Sequence, residues 1–279
     1  MIKRILVVAL FFVVNNNFSQ EKAIRVEVIG KGDPILFLPG FITPGSVWAP
    51  TLKNLQTKSE SHLFSYAGFD GVAPIQMPWY KTVKEDIFNY ILENNLKKFQ
   101  IIGHSMGGNL AVDIAARFPE RVEKMVLVDA LPCIREVMMP GVAASNLHYE
   151  SPYNKRMLGM DDIQFKGMAM NMARGMTSQK EKVSVLANWI QEADRKTYVY
   201  GYTDLLKLDL RDALSAIKTK TLILGASFPT AAVMRENFEK QYANLSNKTI
   251  EIATNSKHFI MFDQPAWFYN KLTAFLDDE

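Results

Sequence analysis

Apolar and polar positions alternate along this chain with two different periods. Ile24 to Val28 alternates with a period of two, as a half-exposed strand does. Pro34 to Leu38 is a continuous short apolar run ending in Pro39-Gly40-Phe41. His62 to Tyr66 is another, followed by the turn signals Gly68, Asp70-Gly71 and Pro74. The period then lengthens: Val83, Ile87, Tyr90, Ile91 and Asn94 trace one face of a helix. Phe99, Ile101 and Ile102 form a further buried strand. Leu110, Ala111, Ile114, Ala115 and Phe118 recur at helical spacing until Pro119 stops them. Strands are predicted again at Met125–Val128, Thr221–Leu224 and Thr249–Ala253, with helices over Ala231–Leu245 and Pro265–Leu276. Such alternation predicts an α/β fold, a mainly parallel sheet covered by helices on both faces.

The rhythm stops between Asp129 and Thr221. These roughly ninety residues are rich in methionine and in aromatic residues such as Tyr149, Tyr153, Trp189, Tyr198 and Tyr202. Met168, Met172 and Met176 fall at i, i+4 and i+8 on one helical face. A helical subdomain packing on itself explains them, and so does a lid whose flexible thioethers shape an apolar pocket. The predicted division is therefore a core over 20–131 and 212–279 with a mainly helical cap inserted at 132–211.

The first nineteen residues read differently. Lys3 and Arg4, the apolar run Ile5–Val14 and the polar exit Asn15–Gln20 have the layout of a secretory signal, with cleavage expected near Ser19. Ten apolar residues are too few to span a hydrocarbon core of about 30 Å. An exported, periplasmic or secreted, protein is expected. Loss of Lys3 and Arg4 lowers the formal charge from +3 to +1, which predicts neither a nucleic-acid partner nor strong attraction to membranes. Cys133 is the sole cysteine, so no internal disulfide forms.

The chemistry concentrates at Gly103-His104-Ser105-Met106-Gly107, a G-x-S-x-G segment between a strand and a helix. In that context the turn is tight enough to demand small residues at Gly103 and Gly107, and it pushes the serine hydroxyl clear of the sheet. A serine needs a base. Of the four histidines, His104 lies inside the turn and reads as structural, His62 begins an early strand, and His148 lies in the cap. His258 follows the last strand, at the kind of strand end where reacting groups gather in parallel sheets. It is the expected base. The base in turn needs a carboxylate. The loop after the 221–224 strand, Gly225–Thr230, contains none. Asp129, at the end of the strand beside that of Ser105, is the nearest candidate, although a turn-capping role would also explain it. Asp263 lies too close to His258 in sequence to orient it comfortably. Donors for a developing oxyanion are expected from the backbone N–H groups of Met106, at a helix start, and Phe41, in the early turn.

The chain resembles the α/β-hydrolases over roughly residues 24–130 and 221–276. The likeness rests on an early strand ending in Pro-Gly-Phe, the Gly-His-Ser-Met-Gly turn, a strand ending in Leu-Val-Asp-Ala and a late histidine before the last helix. The resemblance implies an eight-stranded, mostly parallel sheet, a cap after the sixth strand, and a cofactor-free, metal-free triad in the order Ser, acid, His. Pro39 departs from the histidine many members carry there, and the acid is absent from its commonest loop. The expected activity is hydrolysis of small carboxylic esters with an apolar acyl part, through an acyl-enzyme at Ser105. Lactone, amide and perhydrolase chemistry, or ligand binding without catalysis, are the alternatives on the same fold.

Overall fold

The computed structural model describes residues 22–55 and 58–278. The leader predicted over residues 1–19 lies outside them. Among the described residues seven strands form one sheet in the order β1-β3-β2-β4-β5-β6-β7. They are β1 (Ile24–Gly30), β2 (Asp33–Leu38), β3 (Ser59–Tyr66), β4 (Phe99–His104), β5 (Val122–Val128), β6 (Lys220–Ala226) and β7 (Lys248–Ala253). Only β1 runs antiparallel, against β3, and its outward residues Val28 and Ile29 are exposed at the sheet edge. The other strands pair parallel and carry the continuous apolar runs. Leu36, Phe37, Ile101, Ile102, Leu127 and Ile223 are fully buried, as strands covered on both faces require.

Two expectations drawn from the resemblance need correction. The described sheet has seven strands rather than eight, and the cap follows the fifth strand rather than the sixth. The apolar patterning itself marks only these seven segments; the eighth came from the family comparison.

The core helices are α1 (Ala49–Asn54), α2 (Trp79–Glu93), α3 (Met106–Arg117), α9 (Ala231–Gln241), α10 (Ile260–Asp263) and α11 (Pro265–Asp277). Between β5 and β6 run α4 (Ile134–Met138), α5 (Pro152–Leu158), α6 (Asp162–Met176), α7 (Lys180–Glu192) and α8 (Arg195–Lys207), all inside 132–211. A capping box starts α6: the Asp161 carboxylate accepts the Gln164 N–H while the Gln164 side chain accepts the Asp161 N–H. Helix α8 fastens this region to the core. Its buried Asp204 accepts the backbone N–H of Tyr80 at 3.2 Å, at the start of α2, and also the hydroxyl of Tyr149.

Register sets the functional edge. Leu38 pairs with Gly103, His104 with Val128, Val128 with Leu224, and Ala226 with Ala253. The carboxyl ends of β2, β4, β5, β6 and β7 therefore finish along one edge, and the residues that follow each of them meet there.

Candidate active site

Ser105 sits between β4 and α3 with φ 52° and ψ −122°, a backbone conformation that side chains other than glycine rarely adopt. The turn that holds it there leaves no room at its flanks. A Cβ on Gly103 would lie 2.4 Å from the Gly107 carbonyl oxygen, and one on Gly107 would lie 2.1 Å from that of Leu38. The Ser105 N–H donates to the Val128 carbonyl at 2.8 Å, which ties the turn to β5.

Asp129 follows β5, also at positive φ (45°). Its Oδ1 accepts the Ala226 N–H at 2.8 Å and its Oδ2 lies 2.7 Å from His258 Nδ1. A carboxylate accepts, so Nδ1 carries the proton and Nε2 presents a lone pair. The loop Gly225–Ser227, which lacks an acid of its own, thus contributes a backbone donor that holds the acid of a neighbouring strand. The Asp129 side chain is 11% exposed and that of His258 29%, so the pair is shielded on the carboxylate side and accessible on the imidazole side.

His104 supports this arrangement from beneath. It is fully buried, and its ring centroid lies 4.6 Å from that of His258. Its Nε2 is 3.0 Å from the His258 carbonyl oxygen, which can only accept, so Nε2 is the protonated nitrogen. Burial, and secondarily the nearby His258, hold its pKa well below the ordinary histidine value, which keeps the ring neutral.

Ser105, Asp129, His258, Phe41 and Met106 line one cavity of about 280 Å³. Among the described residues the backbone N–H groups of Phe41 and Met106 have no acceptor. The Phe41 ring is wedged among Phe69, Trp79, Tyr198 and Tyr202 at centroid distances of 4.9 to 6.1 Å, which fixes the turn that carries its N–H. Among the described residues the Ser105 hydroxyl forms no hydrogen bond to His258 in this conformation.

The other sequence candidates are placed elsewhere. His62 lies within β3, bonded to Tyr90 and Glu60. His148 precedes α5, where its carbonyl accepts from Asn154. Cys133 is buried. Of the methionine stripe, Met172 and Met176 reach the cavity, while Met168 packs toward the Tyr198 hydroxyl instead.

Two features escaped the sequence reading. Asp263 accepts the Thr177 hydroxyl (2.5 Å) and the Ser178 N–H (2.9 Å) through Oδ1, and the Lys257 N–H (2.8 Å) through Oδ2. With the Phe259 N–H bonded to the Met176 carbonyl, it clamps the α6–α7 turn to the His258 loop. The second feature is the pairing of Tyr198 and Tyr202 with cap methionines above Ser105. Their i, i+4 spacing was the available signal.

The known proteins that the chain resembles agree with this architecture. The family described as the alpha/beta hydrolase fold matches residues 33–156. A pimeloyl-[acyl-carrier protein] methyl ester esterase of Aeromonas hydrophila is 24% identical over 204 residues, covering 70% of this chain and 76% of the relative. An N-formylmaleamate deformylase of Pseudomonas putida is 22% identical over 253 residues, covering 89% and 90%. Among solved structures, an esterase from Exiguobacterium antarcticum superposes with a TM-score of 0.74 at 20% identity, covering 92% of this chain and 98% of that one. A sheet of this order, a serine at a strained strand–helix turn and these likenesses show that the chain has the alpha/beta hydrolase fold.

Proposed function

We propose that the protein is an exported serine hydrolase that cleaves carboxylic esters through an acyl-enzyme. The relatives support a hydrolase, and the methyl ester esterase among them favours the ester bond. The observation that carries the proposal is the 2.7 Å contact between Asp129 and His258 Nδ1, in the same cavity as Ser105. It also weighs against a ligand binder with a disabled site, a reading that the acid-free 225–230 loop would otherwise favour.

In this reading His258 Nε2 takes the Ser105 proton as Oγ attacks the ester carbonyl carbon. The carbonyl π electrons move onto oxygen, which the N–H groups of Phe41 and Met106 receive. His258 then returns the proton to the leaving alkoxide, the C–O bond breaks, and the acyl group stays on Ser105. Water, deprotonated by His258, attacks the acyl carbon. Collapse of the second tetrahedral intermediate frees the acid and returns the proton to Ser105. Asp129 holds the His258 tautomer and stabilises the imidazolium formed in each half. The cavity above Ser105 is walled by Leu131, Ile134, Met172, Met176 and Leu205, which suits an apolar acyl group. A burst of nitrophenol from a short-chain nitrophenyl ester, stoichiometric with protein, is the expected result; a binder releases none.

A further inference from the structure

A second cavity of about 470 Å³ lies within the cap. It shares a wall with the Ser105 cavity, made of Met138, Met172, Tyr198 and Tyr202. Two contacts of one kind pin that wall. The Tyr198 hydroxyl lies 2.9 Å from Met172 Sδ, and the Tyr202 hydroxyl 3.1 Å from Met138 Sδ. A thioether is a weak acceptor on a chain with three rotatable bonds, so these pairs part at small cost and without backbone movement.

Beyond the wall, the buried polar groups are already spent. The Asn154 amide donates to the carbonyls of His148 and Tyr149 and to the Thr203 hydroxyl, and that hydroxyl donates to Val199. The Ser151 hydroxyl caps α5. The interior left for an occupant is apolar, Met139, Val142, Leu147, Met157, Val199 and Leu206, while the polar side chains of Asn146, His148 and Tyr153 stand at exposed positions of the lining. At its rim Met138 and Tyr153 stand 54% and 68% exposed, so the chamber is not sealed from solvent.

We propose that this chamber receives the distal part of a long, unbranched acyl chain whose ester carbonyl is held at Ser105, with the two Tyr–Met pairs as the gate between the chambers. The position of the carbonyl rests on the ester-hydrolase reading above. An acyl chain is narrow and flexible enough to thread a wall of methionines. It also asks nothing of a chamber whose buried donors and acceptors are occupied, whereas a sugar or a charged head group leaves its own polar groups unpaired there.

The test compares nitrophenyl butyrate with nitrophenyl decanoate on the parent protein and on Val142→Trp, which fills the second chamber alone. In the parent, each methylene buried in the chamber raises kcat/KM by up to about fourfold. In Val142→Trp the decanoate-to-butyrate ratio is expected to fall at least tenfold, and a ratio within about twofold of the parent overturns the proposal. Met157→Trp enters the same chamber from α5 and carries the same expectation should Val142→Trp not fold, judged by thermal melting. Calorimetric binding of decanoic acid to Ser105→Ala separates the two readings, because it needs no turnover. If no ester is cleaved, yet decanoate binds and either tryptophan abolishes binding, the chamber stands and the ester reading falls. If esters are cleaved but neither tryptophan alters the ratio or the binding, the chamber falls alone.

Discussion

Asp129 and His258 meet across a strand that separates them. Asp129 follows β5, His258 follows β7, and β6 lies between the two strands. The carboxylate bridges that gap by taking the Ala226 N–H on one oxygen and His258 Nδ1 on the other. Asp129 itself sits at a positive φ of 45° as the chain leaves the sheet.

Replacing that carboxylate isolates its charge. Asparagine tolerates positive φ and keeps an oxygen for the Ala226 N–H, so Asp129→Asn is expected to preserve the fold. Loss of the acid in well-studied triads lowers turnover by about 10⁴. A loss of at least about a hundredfold is expected here, with the melting temperature nearly unchanged. Turnover close to the parent assigns the role to another carboxylate or to none.

Asp263 has a different signature. Its two oxygens accept three hydrogen bonds from groups that can only donate or are held as donors, and an amide offers one oxygen for them. Asp263→Asn therefore leaves a buried donor unpaired, at a cost of about 1–3 kcal/mol. Melting should fall by several degrees, while turnover stays within about tenfold of the parent. A hundredfold loss without loss of stability contradicts the structural role.

His104 makes stability depend on pH. Its pKa is depressed in the folded state relative to an ordinary value of 6.5. Below that value the unfolded chain takes up a proton that the folded chain refuses. The contribution is complete above pH 6.5 and is lost as pH falls toward the folded pKa. His62, lowered mainly by burial, acts in the same direction. The melting temperature should drop between pH 7 and pH 5, and His104→Gln, which can still donate to the His258 carbonyl, should flatten part of that slope. An unchanged slope in the variant rules His104 out as a source.

Much of this was legible in the sequence because it rests on local rules. Strands buried on both faces read as unbroken apolar runs, and Gly103 and Gly107 flank a turn where nothing larger fits. Element ends were less legible. Strand β3 starts at Ser59, earlier than the apolar pattern suggests, because its polar first residues still pair with β1 and β2, and α2 starts at the buried Trp79, one turn before the Val83 stripe. The cap was opaque for a different reason. Its elements are tied to α2 and α10 of the core through contacts such as Tyr80–Asp204 and Thr177–Asp263, whose partners lie 124 and 86 residues apart. No periodicity encodes such pairs.

The proposed export is checked by intact mass. Protein recovered from the native envelope or medium should begin near Gln20, without the leader. Full-length protein found in the cytoplasm contradicts export.

The central claim is that Ser105 is the nucleophile, and covalent capture tests it most directly. A fluorophosphonate needs an activated serine beside an oxyanion site, and it reports where it reacts. Peptide mapping of the labelled protein should place one adduct on Ser105, and a folded Ser105→Ala should take up none. Labelling that persists in the alanine variant, or an adduct mapped to any other residue, contradicts the account.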